Sequence, residues 1–204
     1  YKVFDSGGAV KIIFAKANTA DDYMVKVEEL SGTKGRENDL INAANSALSL
    51  ASIPQAYLYK AMAYHEIGQD RTALLEIEKA GLKDKYLLNL SGVLRLALGD
   101  YDGAMRDHTN ALRIDPLDPT ILSNRCNDFI KLNRLDDAIS DCSRSISARP
   151  TYSKAFYNRG LAQLRAKRYS QSQSDFDKAI QYDAKDWEAY GNRSAAKLFL
   201  GDYH

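Results

Sequence analysis

The stretch Lys85–Asp118, KYLLNLSGVLRLALGDYDGAMRDHTNALRIDPLD, decides the fold. Slid along the chain by 34 residues, it meets copies of itself. Gly99-Asp100-Tyr101 falls on Asn133-Arg134-Leu135, then on Lys167-Arg168-Tyr169, then on Gly201-Asp202-Tyr203. Ala104 falls on Ala138 and Ser172, and Ala111 on Ser145 and Ala179. Ile114-Asp115-Pro116 falls on Ala148-Arg149-Pro150 and Tyr182-Asp183-Ala184. Asn124-Arg125 falls on Asn158-Arg159 and Asn192-Arg193. Coincidences this numerous at one period mark a structural repeat.

The local chemistry says what is repeated. From Asp118 to Leu132 the apolar residues Ile121, Leu122, Phe129, Ile130 and Leu132 follow helical spacing. A polar turn at Asn133-Arg134 follows, and then a second helix over Asp136–Ala148, with Ala138, Ile139, Cys142 and Ile146 on one stripe. Pro150 stops it, because proline lacks the amide a helix interior requires. Each unit is therefore a pair of antiparallel helices joined by a short turn. Small residues at the crossing let the backbones approach: Cys126 with Ala138 and Ser145, and Gly160 with Ser172 and Ala179. One pair cannot bury its apolar face alone, whereas stacked neighbours can, and the result is a mainly α solenoid.

These units resemble tetratricopeptide repeats. Leu88, Gly92, Leu94, Gly99-Asp100-Tyr101, Ala104, Ala111 and Asp115-Pro116 stand where that family has its signature residues. Residues 119–152 and 153–186 match nearly as well, and 187–204 supply one more first helix. Residues 54–84 form a shorter relative through Tyr57, Ala61, Tyr64, Gly68, Ala73 and Ala80, with Asp70 in place of the aromatic after the turn. The resemblance implies a right-handed superhelical α-solenoid over residues 54–204, with first helices lining its concave face.

The first 53 residues lie outside the period. Tyr1–Phe4 and Ala9–Phe14 flank the turn-forming cluster Asp5-Ser6-Gly7-Gly8 and are expected as strands. Tyr23–Glu29 alternates Val25 and Val27 with Lys26 and Glu28, which also reads as a strand, although Tyr23, Val27 and Leu30 fit a helix face as well. Residues 1–35 are thus expected to be a short β-rich segment, with the tail of a preceding domain as an alternative, since the chain opens on Tyr1 rather than Met. Arg36–Leu50, with Leu40, Ala44, Ala47 and Leu48 on one face, reads as a helix, and residues 36–53 as a capping helix or degenerate repeat.

Composition narrows function. The chain is 45% hydrophobic, and its 28 Lys and Arg nearly cancel its 27 Asp and Glu. A net charge of +1 gives no electrostatic case for nucleic acid or an anionic membrane surface. No stretch approaches the roughly 18 apolar residues that span a bilayer. No H-E-x-x-H, C-x-x-C or phosphate-loop string is present, so no catalytic residue, metal or cofactor is expected. His108 aligns with Cys142 and Phe176 and reads as packed; His65, beside Glu66, reads as solvated or facing a ligand. Cys126 and Cys142 read as two small buried residues, with a disulfide as the alternative. Asn89-Leu90-Ser91 and Asn192-Arg193-Ser194 match the glycosylation pattern but fall within helices expected to be packed.

The family resemblance places a groove on the first helices. It implies Tyr59, Met62 and His65 there, then Asn89, Leu90, Val93 and Leu96; Asn124, Asn127 and Lys131; Lys154, Tyr157, Asn158, Leu161 and Arg165; and Asn192. An amide carries donors and an acceptor, so the ladder Asn124, Asn158 and Asn192 could hydrogen-bond an extended peptide backbone. The alternative is that these amides serve helix packing. Tyr59, Val93, Tyr157 and Leu161 would be apolar anchors. Chaperone-binding members hold a terminal carboxylate with five Lys, Asn and Arg groups. Only Asn124 and Lys154 match; Asn89 and Val93 stand for the first Lys and Asn, and Asn158 for the Arg. Terminal-carboxylate capture is therefore not expected. The sequence reads as a non-catalytic protein-interaction module binding a protein or peptide. The alternatives are a docking segment of a larger enzyme and self-association into a homo-oligomer.

Overall fold

Thr19 begins the first helix by accepting a hydrogen bond from the Asp22 amide while Asp22 reaches back to the Thr19 amide, a reciprocal cap at 3.2 and 3.0 Å. That helix, α1 (Ala20–Leu30), buries Val27 and Leu30 against α2 (Glu37–Leu50), with a two-glycine turn between them. The computed structural model describes residues 2–4, 10–12, 19–81 and 84–201. In the first compact unit, Tyr1–Gly81, β1 (Lys2–Phe4) pairs antiparallel with β2 (Val10–Ile12) in the register Val3 to Lys11. A β-rich segment through residue 35 is nonetheless wrong, because Tyr23–Glu29 is helical. The alternation of valines and charges there is outweighed by the i, i+3 pair Val27 and Leu30, which α2 covers. Expected strand residues outside 2–4 and 10–12 in this region lie beyond the described residues. The unit continues with α3 (Pro54–Glu66), entered by a proline in its first turn, and α4 (Asp70–Ala80).

The second unit, Leu82–His204, carries the repeat. Its helices are α5 (Lys85–Ala97), α6 (Tyr101–Ile114), α7 (Pro119–Lys131), α8 (Leu135–Ala148), α9 (Ser153–Arg165), α10 (Tyr169–Tyr182) and α11 (Trp187–Leu200). Asp84, Asp118 and Asp186 cap α5, α7 and α11 by accepting from amides of the first turn. The hairpin turns repeat in conformation as well as position: Gly99, Asn133, Lys167 and Gly201 all have positive φ, from 56° to 83°. Asn tolerates that region, whereas Lys does so at a cost.

One layer shows how each hairpin is filled. Gly92 lies under the His108 ring, and Gly160 under Phe176; a Cβ on either would come within 2.5 and 2.9 Å of those rings. Midway between them in sequence, Cys126 and Cys142 occupy the same two places. They are bonded as a disulfide across 16 residues, with Cα atoms 5.6 Å apart, which replaces the expected pair of free thiols. The physical reason is the layer itself, since a crossing close enough for glycine to meet a ring brings two short side chains within bonding reach. His108 is fully buried and its Nδ1 meets Asp128 Oδ2 at 2.5 Å. Burial raises the pKa of Asp128.

A second layer ties hairpins to each other. Arg125 and Arg159 each make a two-pronged bond to an aspartate 16 residues on, Asp141 at 2.6 and 3.0 Å and Asp175 at 2.7 and 2.7 Å. Each also reaches back to the preceding second helix, at Thr109 and Ser143. Asp107 holds the equivalent position, accepting from Ser91 at 2.6 Å and Arg95 at 2.9 Å. The repeat of Asn-Arg pairs in the sequence therefore includes an ionic staple. Asp107, Asp141 and Asp175, spaced by the same 34 residues, were the sequence signal for it.

Candidate functional site

The first helices α5, α7, α9 and α11 are joined by their asparagines. Asn124 Nδ2 donates to Asn89 Oδ1 at 2.9 Å, Asn158 Nδ2 to the Ser123 carbonyl at 3.1 Å, and Asn192 Nδ2 to the Tyr157 hydroxyl at 3.2 Å. Each bond spans 35 residues, one repeat plus one position, and Arg165 donates to the Ile130 carbonyl across the same interval. At least one donor bond of each ladder amide is thus made within the protein, between successive first helices. Lys154 Nζ donates to Asn124 Oδ1 at 3.1 Å. Asn158, only 4% exposed, also donates to the Ser123 hydroxyl at 3.2 Å.

Between α7, α9 and α11 the surface is concave, enclosing about 590 Å³. Six of the expected residues line it: Asn127, Lys131, Lys154, Tyr157, Asn158 and Leu161. Asp183, Asp186 and Glu188 line it too, and the first-helix placement had not singled these out. The three acidic residues belong to the α10–α11 connection and the first turn of α11, so the turn contributes to the site as well as the helices. Among the described residues, none of Lys131, Lys154, Asp183, Asp186 and Glu188 is in an ion pair. Opposite charges therefore face one cavity without neutralising each other. The concave wall desolvates the Lys154 ammonium and lowers its pKa, although the side chain as a whole stays open to the groove. Burial, reinforced by Glu188, pushes the Tyr157 hydroxyl up to about 12, so it is a neutral donor and acceptor at physiological pH. A shallower hollow of about 260 Å³ shares Tyr157 and Glu188 and adds Trp187, Gly191 and Asn192. Trp187 is 76% exposed there.

The remaining expected residues fall elsewhere. Val93 is half-buried on α5. Tyr59 and Met62 line a separate small cavity of about 150 Å³ in the first unit, with Leu30, Leu40 and Ala63. His65 Nδ1 bonds Asp70 Oδ1 at 2.6 Å across the α3–α4 turn. No group of three His, Cys, Asp or Glu among the described residues could hold a metal ion. No described helix is long and apolar enough to cross a membrane.

A tetratricopeptide-repeat family model matches residues 153–186, which are α9, α10 and the turn that contributes Asp183 and Asp186. The chain is a tetratricopeptide-repeat protein. Among curated proteins, it is 32% identical over 103 residues to a DnaJ homolog subfamily C member 7 homolog from Dictyostelium discoideum, covering 48% of this chain and 19% of that one. It is 31% identical over 124 residues to RNA polymerase II-associated protein 3 from Xenopus laevis, covering 61% of this chain and 18% of that one. The chain thus spans about a fifth of the length of these relatives. The tetratricopeptide-repeat chain also superposes on Cut9 in the Cut9–Hcn1 complex with a TM-score of 0.79 at 18% identity, covering 87% of this chain and 36% of that one. The first tetratricopeptide domain of Spaghetti (RPAP3), bound to the HSP90 peptide SRMEEVD, gives 0.56 at 23% identity, covering 58% and 94%. At these identities the structural likeness speaks to fold.

Proposed function

We propose that this tetratricopeptide-repeat chain is a non-catalytic protein-interaction module, and that it holds an extended peptide segment of a partner in the concavity between α7, α9 and α11. The observation that carries this reading is the cavity itself: it is large, it lies on the first helices, and it is lined by charges that the fold leaves unpaired. Tyr157 and Leu161 offer apolar contact, and the Asn158 carbonyl offers an acceptor to a backbone amide. The Spaghetti domain bound to an HSP90 peptide supports a peptide as the partner class. Capture of a chaperone's terminal carboxylate is not part of the proposal, because Asn158, where a clamp would need Arg, is committed to Ser123. The array is read as residues 54–204 in five units, the last partial. The helical pair α1–α2 is read as a degenerate unit covering α3.

The test is binding of N-acetylated, C-amidated peptides from a random decapeptide array to the whole chain, compared with the double variant Asn127→Ala/Lys131→Ala. Neither residue makes a side-chain bond among the described residues, so helix content by circular dichroism should be unchanged. Loss of binding in the variant is expected, and undiminished binding would place the site elsewhere. A second reading, a docking segment within a larger protein, is favoured by the small share of each relative that the match covers. Finding, in a longer chain that contains these residues, an activity that the same double variant disturbs would decide for it.

A further inference from the structure

The acidic side of the cavity has an aromatic neighbour that peptide binding in general does not require. Trp187 is three-quarters exposed on the first turn of α11, next to Glu188, and lines one hollow with Tyr157. Tryptophan is the strongest of the aromatic partners for a cation, and a large exposed indole is the kind of side chain that a soluble surface avoids without a use. Glu188 and Asp186 are adjacent in the same turn, and Asp183 closes the cavity from the end of α10. Asp183 and Asp186 each accept an amide of their own turn at 3.0 Å through one oxygen, which fixes their direction and leaves the other oxygen available. Among the described residues no cationic side chain pairs with these carboxylates, and Glu188 meets only the neutral Tyr157 hydroxyl. Lys131 and Lys154 face the same cavity without pairing with them, and the nearest cation of the α10–α11 turn, Lys185, does not line it.

Resting on the peptide-binding reading, we propose that the α9–α11 end of the cavity is a seat for a lysine or arginine side chain of the partner peptide, held between the Trp187 and Tyr157 rings and the carboxylates of Glu188, Asp186 and Asp183. Two independent observations converge on a cation: carboxylates without a cationic partner among the described residues, and the exposed indole beside them. Asn158 lines the same cavity one helical turn from Lys154 and offers its side-chain oxygen to a backbone amide of the peptide. The opposite wall, with Lys131 and Lys154, would then suit an acidic or polar residue further along the peptide. The partner is thus a segment of mixed charge, with its base toward α11 and its acid toward α7.

The test uses the full 204-residue chain and the capped decapeptide array described above. Peptides selected by the chain are expected to carry Lys or Arg at one register. By fluorescence anisotropy, changing that residue to Gln should weaken binding about tenfold, the size expected of a few exposed charge contacts and a ring contact. Trp187→Leu and Glu188→Gln each should weaken the basic peptide several-fold and leave the Gln peptide unaffected. Both residues are exposed, so neither change threatens the fold. Equal binding of the Lys and Gln peptides, or losses in the two variants that ignore the peptide's charge, would overturn the basic seat. If such charge-blind binding still fails in Asn127→Ala/Lys131→Ala, the groove reading stands alone. No binding at all, or binding indifferent to every one of these variants, overturns both.

Discussion

Replacing Asp141 by alanine tests whether the repeating ionic staple holds the array that shapes the cavity. Asp141 is 4% exposed and receives both prongs of Arg125 at 2.6 and 3.0 Å, with Arg144 at 3.2 Å. The Arg125 side chain is only 16% exposed, so Asp141→Ala strands a guanidinium that water barely reaches. Breaking a buried pair from one side costs about 3–5 kcal/mol, and the residual access of Arg125 argues for the lower end, about 3 kcal/mol. For a chain of this size that lowers the melting temperature of the transition by about 6–12 °C. Differential scanning calorimetry with urea unfolding would measure both. Two controls sharpen the result. Asp136→Ala removes an exposed partner of Arg168 and should cost less than about 0.5 kcal/mol. The double variant Arg125→Met/Asp141→Leu removes both charges and should recover most of the loss, because apolar side chains of similar volume can replace a buried pair. A loss under about 1 kcal/mol for Asp141→Ala, or a double variant no better than the single one, would refute the staple.

Three further outcomes are expected. Lys167 sits at positive φ where two of its repeat counterparts are glycine, so Lys167→Gly should raise stability by about 0.5–1 kcal/mol in urea unfolding, while Asn133→Gly should change little. Cleaving the Cys126–Cys142 bond, by reductant or as Cys126→Ala/Cys142→Ala, should cost about 3 kcal/mol for a loop of this length; unchanged unfolding with and without reductant would mean the bond contributes nothing. The Arg95 guanidinium lowers the pKa of Asp100, and the Lys85 ammonium that of Asp115. A carboxylate depressed in the folded state adds stability above its unfolded pKa, about 3.9, and loses it as pH falls through the lower folded value. Stability should therefore drop on acidification below about pH 4, and Asp100→Asn or Asp115→Asn should flatten that limb in pH-dependent melting.

The period of 34 residues was legible because a solenoid repeats its packing problem, and each unit must solve it with the same residue sizes at the same offsets. That alone determined the helical pairs and the turns at Gly99, Asn133 and Lys167; the family resemblance added the placement of Asn127, Lys154, Tyr157 and Leu161 on the groove side of the first helices. Outside the period the reading weakened. Tyr23–Glu29 obeys both a strand and a helix pattern over seven residues, and only the presence of α2 to cover Val27 and Leu30 resolves it. The asparagine ladder was visible, but its direction was not. A recurring amide looks alike whether it faces a ligand or the preceding helix, and the 35-residue reach of its bonds depends on how far one hairpin advances on the next. The same advance, set by side chains packing in three dimensions, decided that Cys126 meets Cys142 and that the α10–α11 turn brings Asp183, Asp186 and Glu188 to the cavity. Sequence spacing specifies which face of a helix a residue occupies; only tertiary packing specifies what that face meets.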